Sequence, residues 1–298
     1  MLNLSRPLYR ITRVDYVPTG NRSCWLEWRN TLKTVPTSSL LCGYFGFGYS
    51  SWNMILKEKI NPTPLTEEED KKINFLKEKA LSHGTAFEPA AKELFKKYLE
   101  HLIKVECHHY KEIESGEVSN HYEIAYNNEK AGLVSTPDYI YFFKNDESGV
   151  AIAEFKCPFF CMIQRKEKSV LQVVKDFTLA HPSGRENAFI QAASYCLVEK
   201  AHRFCTVFYF TDTVDEEYII IYNYESIPEL YSIIFDSILK TEAALKELEE
   251  ATRKGEPKNF RSPTVDKRAI SKLMNTTLQS VIIYDGKDYF LKSELLGV

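Results

Sequence analysis

The chain predicts a mixed α/β domain. Apolar residues recur at three and four over 82–104, 187–200 and 228–254, the spacing of a helix with one buried face. Apolar runs rich in Tyr, Ile, Val and Phe at 121–143, 150–156, 204–210 and 216–224 read as strands. The two kinds interleave as helix, strands, helix, strands, helix. That order gives a central mixed β-sheet flanked by helices, with a helical N-terminal part before it and a C-terminal β-hairpin after it.

Residues 2–60 mix aromatics, glycines and short turns. The string Gly43-Tyr-Phe-Gly-Phe-Gly48 has no Lys-Ser/Thr after it and no strand before it, so it reads as an aromatic connector rather than a phosphate loop. Pro62, Pro64 and Thr66, followed by Glu67–Asp70, mark a loop and a helix start with acids in its first turn, where the helix dipole favours them. From Ser82 to Lys104, Phe87, Ala91, Leu94, Phe95, Tyr98 and Leu102 make one apolar stripe. The strands of 121–143 turn near Asn127-Asn128. A second turn at Asn145–Gly149 leads into Val150–Lys156, which Pro158 stops because it has no ladder donor. Helical spacing returns at 161–175 and 187–200. The helix over 228–254 carries Lys240, Glu242, Lys246, Glu247, Glu249 and Glu250 on its wet face and ends at Gly255 and Pro257. Asp285-Gly286 between apolar runs is a hairpin signal. The chain is read as one domain over 1–298: an N-terminal part (1–80), a core (81–225) and a C-terminal helix, basic segment and hairpin (226–298).

Composition narrows the function classes. Lys+Arg number 38 against 41 Asp+Glu, a formal balance of −3. That excludes gripping a polyanion with the whole surface and leaves room for a single lined cleft. The 44% apolar and 27% charged content excludes general disorder. No apolar run approaches the roughly 18–20 residues of a membrane span, and the first residues lack a signal-peptide plan. The expectation is an intracellular protein that does not enter membranes. Seven cysteines (24, 42, 107, 157, 161, 196, 205) with no CxxC pair fit a reducing compartment.

The residues that carry chemistry centre on Ser135-Thr-Pro-Asp138 and Ile152-Ala-Glu154-Phe-Lys156. Side chains two apart in a strand share a face, so Glu154 and Lys156 project together while Ala153 and Phe155 point to an apolar side. Asp138 opens the neighbouring strand within reach of the same spot. Two carboxylates and a strand carbonyl are the hard oxygen ligands that Mg²⁺ takes, and a lysine beside them can orient water or balance phosphate charge. A salt bridge on a solvated face uses the same residues and is the plainer alternative. Glu88 lies in His83-Gly-Thr-Ala-Phe-Glu-Pro-Ala-Ala91, where small residues at 84, 90 and 91 let the helix lie close to a sheet. Gln191 and Tyr195 are four apart and share a helix face.

Glu88 on a helix, Pro137-Asp138, Glu154-Phe-Lys156 and Gln191-x3-Tyr195 follow the order and spacing of the PD-(D/E)xK nuclease superfamily. The set resembles the branch of phage lambda exonuclease, the YqaJ-type viral recombination exonucleases and the herpesvirus alkaline nucleases. The match spans about 25–210 and is specific only as a set. Trp25-Leu-Glu-Trp-Arg29 followed by Thr37-Ser-Ser39 is similar to that branch's Trp/Arg and Thr-x-Ser segment.

The resemblance implies a restriction-endonuclease-like core and a Mg²⁺-dependent deoxyribonuclease, with Mn²⁺ as a substitute ion. It implies hydrolysis of one strand of linear double-stranded DNA from a 5′ end. Asp138, Glu154 and the Phe155 carbonyl would hold the ion, with Glu88 in or next to its shell. Lys156 would position the water, Gln191 would position Lys156 or the water, and Arg29, Ser38 and Ser39 would contact the 5′-phosphate, with Tyr195 on the DNA side. It also implies viral DNA recombination, replication or repair, in a host cytoplasm or nucleus, with a single-strand-annealing or recombination partner and a homo-oligomer among its relatives. An endonuclease for DNA or RNA, or an inactive nucleic-acid-binding module, are the competing readings.

Charge resolved along the chain supplies two candidate rims. Residues 252–272 hold seven basic residues (Arg253, Lys254, Lys258, Arg261, Lys267, Arg268, Lys272) against Glu256 and Asp266, a local +5. Arg165, Lys166, Lys168 and Lys175 form the second, with Phe159-Phe160 beside them as a stacking or core pair. Cys107-His108-His109 with His101 and His121 matches no common zinc spacing, and no cysteine cluster for an iron–sulfur centre follows Gln191.

Overall fold

The computed structural model describes residues 9–47, 51–61, 67–106, 110–113, 118–143, 150–158, 169–179, 185–211, 217–256, 258–261, 263 and 267–291. Ten strands and eight α-helices of four residues or more occur among them. The strands are β1 (Arg10–Pro18), β2 (Tyr110–Ile113), β3 (Val118–Tyr126), β4 (Glu129–Ser135), β5 (Tyr139–Phe143), β6 (Ala151–Lys156), β7 (Arg203–Thr211), β8 (Glu217–Glu225), β9 (Leu278–Tyr284) and β10 (Tyr289–Leu291). The helices are α1 (Arg22–Thr31), α2 (Leu41–Tyr44), α3 (Trp52–Ile60), α4 (Glu67–Glu106), α5 (Val170–Leu179), α6 (Arg185–Glu199), α7 (Pro228–Lys254) and α8 (Lys267–Thr277).

Seven strands form the main sheet, in the order β10-β9-β8-β7-β6-β5-β2, and β1-β3-β4 form a second sheet. Within the main sheet β6 and β7 are parallel and the other neighbours antiparallel, so the sheet is mixed. The parallel pair is joined through α5 and α6, because two parallel strands need a crossover.

Strand alternation sends side chains to two separate cores. Ala151, Ala153 and Phe155 of β6, Cys205, Val207 and Tyr209 of β7, and Ile219 and Ile221 of β8 pack on Ala91, Leu94, Phe95 and Leu99 of α4. The intervening residues Ile152, Phe204, Phe208, Ile220 and Tyr222 pack with α6 and α7 through Phe189, Ala193, Leu230 and Ile234. The main sheet is therefore apolar on both faces, and its strands read as near-continuous hydrophobic runs for that reason. The face of β6 that carries Glu154 is also covered, by α6, where the sequence left a solvated face open.

Several elements match the sequence reading and others extend it. Asn127 (φ 48°) and Asn128 (φ 66°) turn the β3–β4 hairpin in left-handed geometry, which asparagine tolerates. Gly255 (φ 71°) ends α7, with its N–H on Thr252 O at 3.1 Å and Glu256 N–H on Ala251 O at 2.9 Å. Asp285 Oδ1 accepts from the N–H groups of Lys287 and Asp288, and Gly286 (φ 91°) completes the β9–β10 turn. The helix expected over 82–104 is the C-terminal part of α4, which runs unbroken for 40 residues and contains Pro89. A Cβ on Gly84 would meet nothing within 4 Å, so close packing of α4 rests on fully buried Ala91 instead.

Two elements depart from the sequence reading. The N-terminal part includes a nine-residue strand, β1, as well as helices. The basic segment holds a helix, α8, that buries Ile270, Met274 and Thr277. No helix among the described residues is long and apolar enough to cross a membrane.

Candidate functional site

The β5–β6 ladder brings the two predicted acids together. It pairs Tyr139 with Ala153, and the same register one residue further sets Asp138 opposite Glu154. Asp138 Oδ2 accepts the N–H of Phe155 at 2.9 Å, which fixes the carboxylate beside the 154–155 peptide. Glu154 is fully buried. Its Oε1 accepts from the Lys156 ammonium, while its Oε2 is buried with no donor.

Lys156 is reached from the opposite side by α6. Its Nζ donates to Gln191 Oε1 at 3.3 Å, and Gln191 Nε2 donates to the Tyr195 hydroxyl at 2.7 Å. The four-residue spacing on one helix face is what makes that second bond possible. Tyr195 is buried, so it reaches the site only through the Gln191 amide. Glu88 sits half-buried on α4 and pairs with Lys92 at 2.8 Å.

Burial sets the electrostatics. It pushes the Glu154 carboxyl well above the usual carboxylate range, and the charge of Asp138 pushes it further, against the pull of Lys156. Burial raises Asp138 too; Lys156 opposes that rise and Glu88 adds to it. Burial alone would lower Lys156, but Glu154 and Asp138 outweigh it and hold the ammonium above its ordinary value. The pocket thus contains two acids that resist ionising and one lysine that stays protonated.

That donor set fits a hard divalent cation. Two carboxylates within hydrogen-bonding reach repel when both are ionised. A cation between them removes the repulsion and gives the orphaned Glu154 Oε2 a partner. Among the described residues no three His, Cys, Asp or Glu side chains meet as a protein-only cage. Two carboxylates with the Phe155 carbonyl and waters is the arrangement that suits Mg²⁺ or Mn²⁺.

A second polar group lies just before Asp138. Residues 36–39 run beside the end of β4, with Val134 N–H on Pro36 O at 2.9 Å and a bridge from Thr37 to Val134. Ser38 is buried with its hydroxyl toward Val134 O at 3.5 Å, whereas Ser39 is exposed and its hydroxyl lies 3.1 Å from that of Thr37. Arg29 stacks on Trp25 with its guanidinium carbon 4.5 Å from the ring centroid. Trp25 Nε1 donates to Ser119 Oγ at 2.8 Å, and Ser119 Oγ lies 2.7 Å from Thr136 Oγ1. Arg29 is thereby tied through Trp25 and Ser119 to the segment that carries Asp138. Sequence reading missed Ser119 and Thr136. Trp25 and Ser119 are 94 positions apart, and no local pattern links them.

The remaining sequence candidates divide. Arg165, Lys166 and Lys168, with Phe159 and Phe160, lie outside the described residues, as do Cys107, His108 and His109; Lys175 is half-buried on α5. Of the basic residues at 252–272, Lys254 pairs with Glu250 at 2.6 Å, Lys258 with Glu247, and Lys267 donates to Gly46 O at 2.7 Å. Those three are engaged within the fold. Cys157 is half-buried and its thiol is pushed up to about 12, by burial first and then by Glu88 and Asp138, so it is a poor nucleophile. A cavity of about 380 Å³ between α3 and the end of α7 is lined by Lys57, Ile60, Asn61, Leu248, Thr252, Gly255, Glu256 and Lys258, away from the carboxylates.

No family model matches the chain, and no curated protein matches it. Among solved structures it is similar to an alkaline exonuclease (LHK-Exo) from Laribacter hongkongensis, at 15% identity and a TM-score of 0.46, over 77% of this chain and 97% of that one. The same exonuclease in complex with dAMP matches at 14% identity, with the same TM-score and coverage. Likeness of that degree fixes neither family nor activity, and the functional reading rests on the side chains above.

Proposed function

We propose that the protein is a Mg²⁺-dependent deoxyribonuclease that hydrolyses one strand at linear double-stranded DNA ends, in the 5′-to-3′ direction. The observation that carries the reading is the buried Asp138–Glu154 pair, with an unpartnered carboxylate oxygen and a protonated lysine beside it. Asp138, Glu154 and the Phe155 carbonyl would hold the ion, with Glu88 beside them. A bound divalent ion supplies Lewis-acid polarisation of the phosphoryl oxygen and a more acidic water.

The chain's own residues do the rest. Lys156, held by Glu154 and Gln191, donates to the attacking water or the scissile phosphate. Gln191 fixes Lys156 through its carbonyl oxygen and is itself fixed by Tyr195. Arg29 and the Thr37–Ser39 hydroxyls receive the terminal 5′-phosphate. A viral role in DNA recombination, replication or repair follows from the resemblance of the motif set alone.

Covalently closed circular duplex separates end-dependent from internal cutting. The account expects linear duplex to be degraded with Mg²⁺ while the closed circle persists. Nicking of the circle at a comparable rate identifies an endonuclease.

A further inference from the structure

Thr206 stands directly across the parallel β6–β7 ladder from Glu154. Paired residues of neighbouring strands send their side chains to the same face, from backbones about 4.8 Å apart. That face is the one α6 covers, since Ile152 beside Glu154 and Phe204 and Phe208 beside Thr206 pack there. Both residues are fully buried. Each carries an oxygen with no hydrogen-bond partner among the described residues, Glu154 Oε2 and Thr206 Oγ1. Valine would fill the place of Thr206 between two phenylalanines without leaving a hydroxyl unbonded, so the hydroxyl calls for a partner.

The polar row continues on the far side of Thr206. Its ladder partner on β8 is Tyr222, and the Arg185 guanidinium at the start of α6 lies over that ring, 4.4 Å from the centroid. Arg185 is buried, and its Nε donates to the Tyr224 hydroxyl at 3.1 Å. Thr206 lies near enough to that hydroxyl to act on it. A guanidinium can only donate, so the Tyr224 oxygen accepts and its own proton is left for Thr206. The threonine hydroxyl can accept that proton and still donate once, and a carboxylate is the strongest acceptor beside it. We propose that Thr206 is a positioning residue for the ion site: its hydroxyl donates to Glu154 Oε2, directly or through one buried water, and aims that carboxylate at the ion. The proposal rests on the metal-site reading above and adds to it a residue that no motif marked.

Ion binding without DNA tests the residue apart from catalysis. Mn²⁺ is titrated into the full chain, and the free ion is followed by its electron paramagnetic resonance signal. Thr206→Val removes the hydroxyl, keeps the shape and weakens the Mn²⁺ Kd about tenfold, the size of one hydrogen bond to a charged group. The Mg²⁺ concentration for half-maximal cleavage of linear duplex rises by a similar factor. Thr206→Ser keeps the hydroxyl and stays within about twofold of the wild type. Tyr224→Phe removes the group that orients Thr206 and weakens Mn²⁺ binding in the same direction by a smaller factor, which gives a reading even if Thr206→Val does not fold. A purely structural threonine would lower the Tm in EDTA and leave the Mn²⁺ Kd in place. A wild-type Kd in folded Thr206→Val overturns the proposal, and so does a Thr206→Ser protein as impaired as Thr206→Val. A wild type that binds no Mn²⁺ overturns the ion site and the role of Thr206 together, whereas binding that only Glu154→Ala abolishes leaves the ion site standing and removes Thr206 from it.

Discussion

Asp138 and Glu154 are held together at a cost to stability. Burial raises both carboxyls; the charge of Asp138 raises Glu154 further, and that of Glu88 adds to the rise of Asp138. A carboxyl raised in the folded state binds protons there more tightly than in the unfolded chain. Stability of the metal-free protein therefore falls as pH rises through the folded-state titration of the pair, above the ordinary carboxylate range. Asp138→Asn can keep the bond from Phe155 N–H while removing one charge. It is expected to stabilise the metal-free protein by about 1 kcal/mol, a few degrees in Tm near pH 8, and to flatten the pH slope. Mg²⁺ should then raise the Tm of the wild type and leave Asp138→Asn unchanged. A thermal melt series in pH and Mg²⁺ reads both effects, and a wild type insensitive to Mg²⁺ would count against the ion site.

The same scale distinguishes the cysteines. Burial pushes the thiols of Cys42 and Cys205 up to about 12, while Cys24 is exposed. Iodoacetamide at pH 8 should modify Cys24 well before Cys42 or Cys205, read peptide by peptide by mass spectrometry. Rapid labelling of Cys42 would mean that the pocket beside Lys156 opens to solvent. The residues of the site were legible because the strand period is two. Glu154 and Lys156 interrupt an apolar run on the same face, and proline marks the start of the next strand at Asp138. The parts played by Thr136 and Ser119 were not legible, because the contacts that give them meaning are long-range.

At the scale of elements, α4 is the support beneath β5 and β6. Phe95 is fully buried, with ring centroids 5.6 Å from those of Tyr141 and Phe155 and 6.0 Å from that of Tyr139. Those three rings lie on the strands that carry Asp138 and Glu154. Phe95→Ala should cost about 3–5 kcal/mol of stability, with the larger loss expected if the cavity cannot collapse. Denaturant unfolding checks it, and a cost under about 1 kcal/mol would mean that α4 repacks freely. Two elements escaped the sequence for identifiable reasons. β1 is exposed at most positions and carries Arg10, Arg13 and Asp15, so it shows neither alternation nor an apolar run. α8 buries only Ile270, Met274 and Thr277, a thin stripe in a stretch dominated by lysine and arginine.

Across the whole molecule, the near-neutral balance conceals a division of charge. Acidic groups are buried where the main sheet's β5 and β6 meet, and Arg29 of α1 is tied through Trp25 and Ser119 to the segment leading to Asp138. Much of the basic charge at 252–272 is instead tied to α7 and to Gly46. The mixed sheet was readable from the interleaved periodicities. Its double-sided burial was not, because a near-continuous apolar run looks alike whether one face or two are covered.

The central claim is that Asp138, Glu154 and Lys156 form one metal-dependent hydrolytic site acting from DNA ends. Linear duplex labelled in turn at each 5′ end, incubated with Mg²⁺ and wild type, Glu154→Ala or Lys156→Ala, tests it most directly. The account predicts early release of the label as mononucleotide by the wild type. It predicts a loss of at least about a thousandfold in both variants, which still bind duplex in EDTA. Variants that cleave like the wild type would contradict it.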